Sequence, residues 1–326
     1  MIRRASFLRG AVATVVAAQA WPRAMAQAWP SRPLRLVVTF APGGGADFVG
    51  RSIAPPLGEA LGQTLVVENK AGANGVVGAD VVAKAAPDGY TLLLGAAGTL
   101  AVAPHLGEPL PFDPLRDFIP VSLVATGSFV VAVNPGLPVQ SIADLIAYAK
   151  ANPDKVNFGS SGTGGAPQLA TELFASMAGV RMTHVPYRGL GPAVADLMAG
   201  QIQLLFADVP LVAGHVRSGA LRGLAVSGDS RSPVLPDLPT VAQAGLPGYS
   251  AGTWYGLLVP AHTPGAIVER LSLALKQVLA APGLREALAA QGAEAAWTTP
   301  EAFAAFLRAD SQKWGQLIAA TGIKAK

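Results

Sequence analysis

No cysteine occurs in the 326 residues. That excludes disulfide staples, thiol nucleophiles and thiolate metal sites together. Charged residues make up 13% of the chain and aromatics 6%. No cluster of Lys or Arg develops beyond the N-terminus, so no basic surface of the kind that holds nucleic acid or an anionic membrane is expected. There is no Gly-Lys pair for a phosphate-binding loop. Gly43-x-Gly45 is followed by Phe48, and Gly162-x-Gly164 by Pro167, where a dinucleotide fingerprint needs glycine. No cofactor is therefore expected. The four histidines, His105, His184, His215 and His262, lack metal-ligand spacing, and no Gly-x-Ser-x-Gly elbow or local Ser–His motif is present. No metal site and no enzyme activity are expected, and a hydrolase stays a remote alternative. One form of it would be a glycosidase-like pair of Asp47 and Asp208, which nothing specific favours.

What is present begins with an export signal at residues 1–26. Arg3, Arg4 and Arg9 form a positive start, Ala11 to Ala20 an apolar stretch, and Ala24-Met25-Ala26 a cleavage site. The stretch is too short to span a bilayer, which takes about 20 apolar residues. Arg3-Arg4 leaves both the Sec and the twin-arginine routes open. The sequence counts 24 Lys+Arg against 20 Asp+Glu, and removing Arg3, Arg4, Arg9 and Arg23 leaves 20 against 20. The mature protein is thus expected to be nearly neutral and to work in the periplasm. An apolar content of 51% suits a compact chain with buried strands.

Along the chain, β-like runs alternate with helical patterns. Leu34 to Thr39, Leu65 to Val67 and Leu92 to Leu94 read as strands, with helices near 46–61 and 75–85. Pro55-Pro56 predicts a break or kink in the first helix. A second set follows: strands at Phe129 to Val133, Val156 to Phe158, Met182 to Val185, Ile202 to Phe206 and Leu221 to Val226, and helices at about 141–151, 167–178 and 190–199. Ser141, Ser160 and Thr163 stand where N-terminal caps would be. Ser232 to Pro247 reads as a connection, Trp254 to Val259 as a strand, and the rest as a helical tail carrying Leu271, Leu275, Val278 and Leu279, then Phe303, Phe306, Leu307 and Trp314. The pattern predicts an α/β protein with two parallel-sheet units and a cleft between them.

Two glycine-rich loops stand between strand and helix, Thr39 to Asp47 and Gly159 to Ala166. Each is either a tight turn or an anion site at a helix N-terminus. Asp47, in the first turn of its helix, either complements the helix dipole or accepts from a ligand hydroxyl or ammonium. On the second reading, Asp47→Ala should weaken binding far more than it lowers the melting temperature.

Several stretches then carry a family resemblance: Thr39 to Asp47, Val66 to Gly75, Ala86 to Leu93, Asn157 to Gly162 and His184 to Gly189. Across the whole mature chain the sequence resembles the periplasmic solute-binding proteins of tripartite tricarboxylate transporters, the Bug family. The resemblance implies a two-domain Venus-flytrap fold, each domain a mainly parallel sheet flanked by helices. Domain 1 would be 27–127 plus 251–326 and domain 2 would be 128–250, with hinges near Thr126 to Ser128 and Ser250 to Gly252. It implies a small organic acid held between the domains by Phe40, Ala41, Gly43, Gly44, Asp47, Ala97 and Thr99 from the first and Ser160, Ser161, Thr163, Tyr187 and Asp208 from the second. The expected partners are that ligand and the membrane permease subunits of a tripartite transporter, or alternatively a membrane sensor kinase. The receptor itself is expected to be a monomer that binds no nucleic acid. Gln168 stands where the family often has His. Tyr187 is balanced between packing and contacting ligand, and Asp208 between closing the cleft and capping the segment at Pro210. Arg188 reads as a surface arginine beside a turn glycine in preference to a cleft cation.

Overall fold

The computed structural model describes residues 29–187 and 189–322. The export signal at 1–26 and the reading of Arg188 lie outside the described residues. The first half of the chain gives β1 (Leu34–Val38), α1 (Gly45–Leu61), β2 (Leu65–Asn69), α2 (Val76–Ala83) and β3 (Thr91–Ala96). It continues through β4 (Phe118–Val133), α3 (Ile142–Ala151), β5 (Asn157–Ser160), α4 (Ala166–Ala178) and β6 (Thr183–Pro186). The second half adds α5 (Leu190–Met198), β7 (Leu204–Asp208), α6 (Val209–Arg217) and β8 (Arg222–Val226). After the Pro-rich connection come β9 (Gly252–Pro260), α7 (Gly265–Ala280), α8 (Pro282–Ala290), β10 (Ala293–Ala295) and α9 (Pro300–Thr321). The helical tail and both alternating sets match the sequence pattern. Helix α6, strand β10 and the length of β4 do not follow from it.

The strands run in the order β2-β1-β3-β9-β4-β7-β5-β6, with β8 and β10 also pairing with β4. β1 is parallel to β2 and β3, and β5 is parallel to β6 and β7. The long strands β4 and β9 run antiparallel to their neighbours. β4 therefore belongs to both units of this two-domain α/β fold. Its first part, as far as Ser128, pairs with β9, and from Phe129 onward it pairs with β7 and β8. We propose domain limits at 127/128, one residue before this change of partner, and at 250/251, just before the chain returns into β9.

Burial follows the periodicities. Leu36, Val38, Ile53, Leu57, Leu257 and Leu275 form a core between the first sheet and α1 and α7. A larger cluster is continuous across both units, from Val37 and Leu93 through Phe158, Phe174 and Phe206 to Trp254, Phe303 and Trp314. Pro55 and Pro56 do not interrupt α1, which runs as one helix. The two prolines lie on its less buried side, where the carbonyls of Arg51 and Ser52, deprived of intrahelical donors, can meet water, while Ile53, Ala54 and Leu57 anchor the other side. Ser141 caps α3 by accepting from the Asp144 N–H at 3.1 Å. Ser160 and Thr163 do not cap α4. Its N-cap is Gly165, which has no side chain to offer, and Pro167 stands in its first turn. Among the described residues, no helix is long and apolar enough to cross a membrane.

Candidate functional site

Strand β1 delivers the first glycine loop to the start of α1, where Gly44 is an N-cap without side-chain capping. The first amides of a helix carry roughly half a positive charge between them. Asp47 fixes the loop from within the helix. Its carboxylate accepts from the Gly43 N–H at 3.0 Å, from Arg51 Nε at 2.9 and 3.0 Å, and from Asn69 Nδ2 at 2.8 Å. The Asn69 amide also donates to the Phe40 carbonyl at 3.0 Å, and Arg51 donates to Asn69 Oδ1 at 3.0 Å. The hydrogen bond from Arg51, helped by those from Gly43 and Asn69, holds the Asp47 carboxyl down at about 2 against the desolvating effect of its burial.

The second glycine loop is braced in the same way. Gln168, four residues beyond Gly164, accepts the Gly164 N–H at 2.8 Å. Ser160 is fully buried, and its hydroxyl bonds to His184 Nε2 at 2.6 Å and to the Gly162 carbonyl at 2.9 Å. His184 also stacks on Phe158. This Ser–His contact joins residues 24 apart, so no local motif could show it. With its hydroxyl engaged and shielded from solvent, Ser160 shapes the loop in this conformation. Gly164 meets the other unit: a Cβ there would lie 2.8 Å from the Leu106 side chain.

An open cavity of about 740 Å³ lies between the units. The start of α1 (Gly43, Gly44, Gly45, Asp47) lines one side of it, and Asp208 with the start of α6 (Val209, Pro210, Leu211) lines the other. The strands crossing between the units, with Ser128, Thr253 and Tyr255, form a further wall. Two helix N-termini from opposite units thus open onto one space. Asp208 is the N-cap of α6 but makes no side-chain capping bond. It is open to the cavity, yet the surrounding walls remove enough hydration to raise its carboxyl's affinity for a proton. The Tyr255 phenol is raised by burial first and then by the Asp208 charge.

Of the residues expected at the site, Gly43, Gly44, Asp47 and Asp208 line this cavity. The others stand elsewhere. Phe40 is half-buried against the α1 core and Ala41 is exposed on the loop. Ala97 is buried, and so is Thr99, which donates to the Asn74 carbonyl at 2.8 Å. Ser161 and Thr163 are half-buried on the second loop. The Tyr187 hydroxyl donates to Asp196 at 2.7 Å, and burial followed by that carboxylate raises it to about 12. Tyr255 escaped the sequence reading. The signal available was alternation along β9, which sends Trp254 into the core and Tyr255 to the opposite face.

Comparison with known proteins meets this geometry. Residues 49–323 match the family described as tripartite tricarboxylate transporter family receptor. The chain is 39% identical to protein BugT of Bordetella pertussis over 302 residues, covering 92% of this chain and 93% of that protein. It superposes on the structure of R. palustris Rpa4515 with adipate at a TM-score of 0.79 and 36% identity, covering 91% of this chain and 99% of that one. It also superposes on MatC (Rpa3494) of Rhodopseudomonas palustris with bound malate at a TM-score of 0.74 and 32% identity, covering 89% and 100%. With the family pattern running through both units and likeness of this extent, the chain belongs to the tripartite tricarboxylate transporter family of receptors, a family of solute-binding proteins.

Proposed function

We propose that the protein, exported by the signal at residues 1–26, captures a small organic carboxylate in the periplasm and delivers it to the membrane subunits of a tripartite transporter. The observation that carries this reading is the convergence of the α1 and α6 N-termini, one from each unit, on the same cavity. The amides of Gly44 and Gly45, which no side chain caps, offer donors to a carboxylate without the cost of ordering a side chain. A ligand touching both units favours closure by the free energy of the contacts it gains only in the closed form. Adipate in Rpa4515 and malate in MatC support the choice of a carboxylate.

A thermal-shift panel of mono-, di- and tricarboxylates, amino acids, sugars and nucleotides tests it, on protein partly unfolded and refolded to strip any co-purified ligand. A carboxylate at about 100 times its Kd should add roughly 2.7 kcal/mol of stability. Stabilisation by sugars or nucleotides with none by carboxylates would overturn the reading.

A further inference from the structure

We propose that Asp208 and Tyr255 form a subsite, reaching across the cavity, for a hydrogen-bond donor on the ligand. The ligand class is then a hydroxy- or amino-substituted carboxylate in preference to an unsubstituted one. The inference rests on the carboxylate-receptor reading above and deepens it.

Three charged groups line the cavity: Asp47, Arg51 and Asp208. The first two neutralise each other, and both Asp47 oxygens are already occupied by Gly43, Arg51 and Asn69. Asp208 is different. An N-cap carboxylate ordinarily accepts from the second or third amide of its helix. In α6 the second residue is Pro210, which has no N–H and leaves only the Leu211 amide as a capping donor, and no side-chain capping bond forms. Asp208 thus faces the cavity without the capping bond that usually engages such a side chain. Facing it from the other unit is Tyr255 on β9. Its hydroxyl sits against the start of α1, so close that a Cβ on Gly45 would lie 2.7 Å from it. Tyr255 therefore stands between the amides suited to a ligand carboxylate and the Asp208 charge that acts on its phenol. Ser52, Ser128, Thr253 and Gln291 supply the remaining polar lining, all neutral, and the Thr253 side chain hydrogen-bonds the Tyr255 phenol.

Closure removes the water that Asp208 retains. A ligand bringing only carboxylates would then place like charge beside it, whereas a hydroxyl or ammonium donates to it. Tyr255 orients that group, as acceptor to the donor or donor to a neighbouring ligand oxygen.

The test is calorimetric titration of the purified protein with two matched series, succinate, malate and aspartate, then glutarate, 2-hydroxyglutarate and glutamate. In at least one series the hydroxy or amino member should bind at least about tenfold tighter than the unsubstituted acid, the ratio one hydrogen bond to a charged group supports. D208N should collapse that ratio, most for an amino acid, and Y255F should reduce it with Asp208 intact. Circular dichroism and melting of both variants establish that they fold. Unsubstituted acids binding as tightly as their substituted partners, or a ratio surviving in both variants, would overturn the subsite and leave the carboxylate receptor standing. No binding by any carboxylate, in these series or in the broader panel, would instead remove the functional reading and the subsite with it.

Discussion

Asp47→Asn removes the charge that ties the first glycine loop to its own helix while keeping the side chain's shape. In the folded protein the Asp47 carboxyl is held at about 2, below its ordinary 3.8. Taken at full value this corresponds to about 2.4 kcal/mol of stabilisation. Arg51, its main partner, is half exposed, so solvent screens the pair and about 1–2 kcal/mol is the reasonable expectation. For a chain of this size that is a fall in melting temperature of roughly 2–6 °C at pH 7. The sign of the pH dependence follows from the depressed folded value. The contribution is complete above the unfolded carboxyl's pKa and is lost as pH falls from about 4 to about 2. Melting curves of both proteins at pH 7, 5, 3.5 and 2.5 should therefore show a gap that is constant at the two higher values and closes toward the lowest. A gap of the same size at pH 7 and pH 2.5, or none at pH 7, would refute the bracing role. Of the two roles read from sequence, the ligand-accepting one expects a substitution at Asp47 to weaken binding far more than it lowers the melting temperature, whereas the bracing contacts place a measurable share of its effect on stability.

Two further substitutions probe what supports the site. Gly256→Ala places a Cβ 2.1 Å from Phe303 Cζ, inside a ring cluster of Trp254, Phe303 and Phe306. It should cost about 1–3 kcal/mol through overpacking, and an unchanged melting temperature would show that the ring moves freely. Tyr249→Phe deletes a buried hydroxyl that donates to the Ala170 carbonyl at 2.8 Å. The orphaned acceptor should cost about 1–3 kcal/mol in thermal unfolding, and no loss would mean that water takes the hydroxyl's place.

The alternating strand and helix patterns were legible because each β-like run is bounded by turn residues and each helix buries a 3.6-residue stripe. The same reasoning failed at β4, where polar Thr126, Gly127 and Ser128 break the apolar run. All three nonetheless pair with β9, and Thr126 and Gly127 pair with β10 on the other edge as well. β10 has three residues and exists through that pairing alone, so no local propensity announces it. α6 was missed because Pro210 reads as a breaker, although at the second helical position proline forfeits an amide that has no intrahelical partner. At the site, the glycine loops and Asp47 stood out by composition. Tyr255 and the contact between Ser160 and His184 depend on register between distant strands: Phe158 pairs with His184 and Ala96 with Tyr255. Sequence spacing contains no such information.

The two loop braces have a mechanical consequence. Asp47 grips the amide of Gly43, and Gln168 grips that of Gly164, each from one turn inside the helix that follows. Each loop is thereby welded to a helix of 17 or 13 residues, so in the closure proposed above each would move with its helix as one stiff body. Grip and discrimination are then separate trades. Under the proposed function the α1 loop would supply the grip on a carboxylate, and exchanging side chains on β9 or at the mouth of α6 would turn the receptor toward a different cargo with that loop left unchanged.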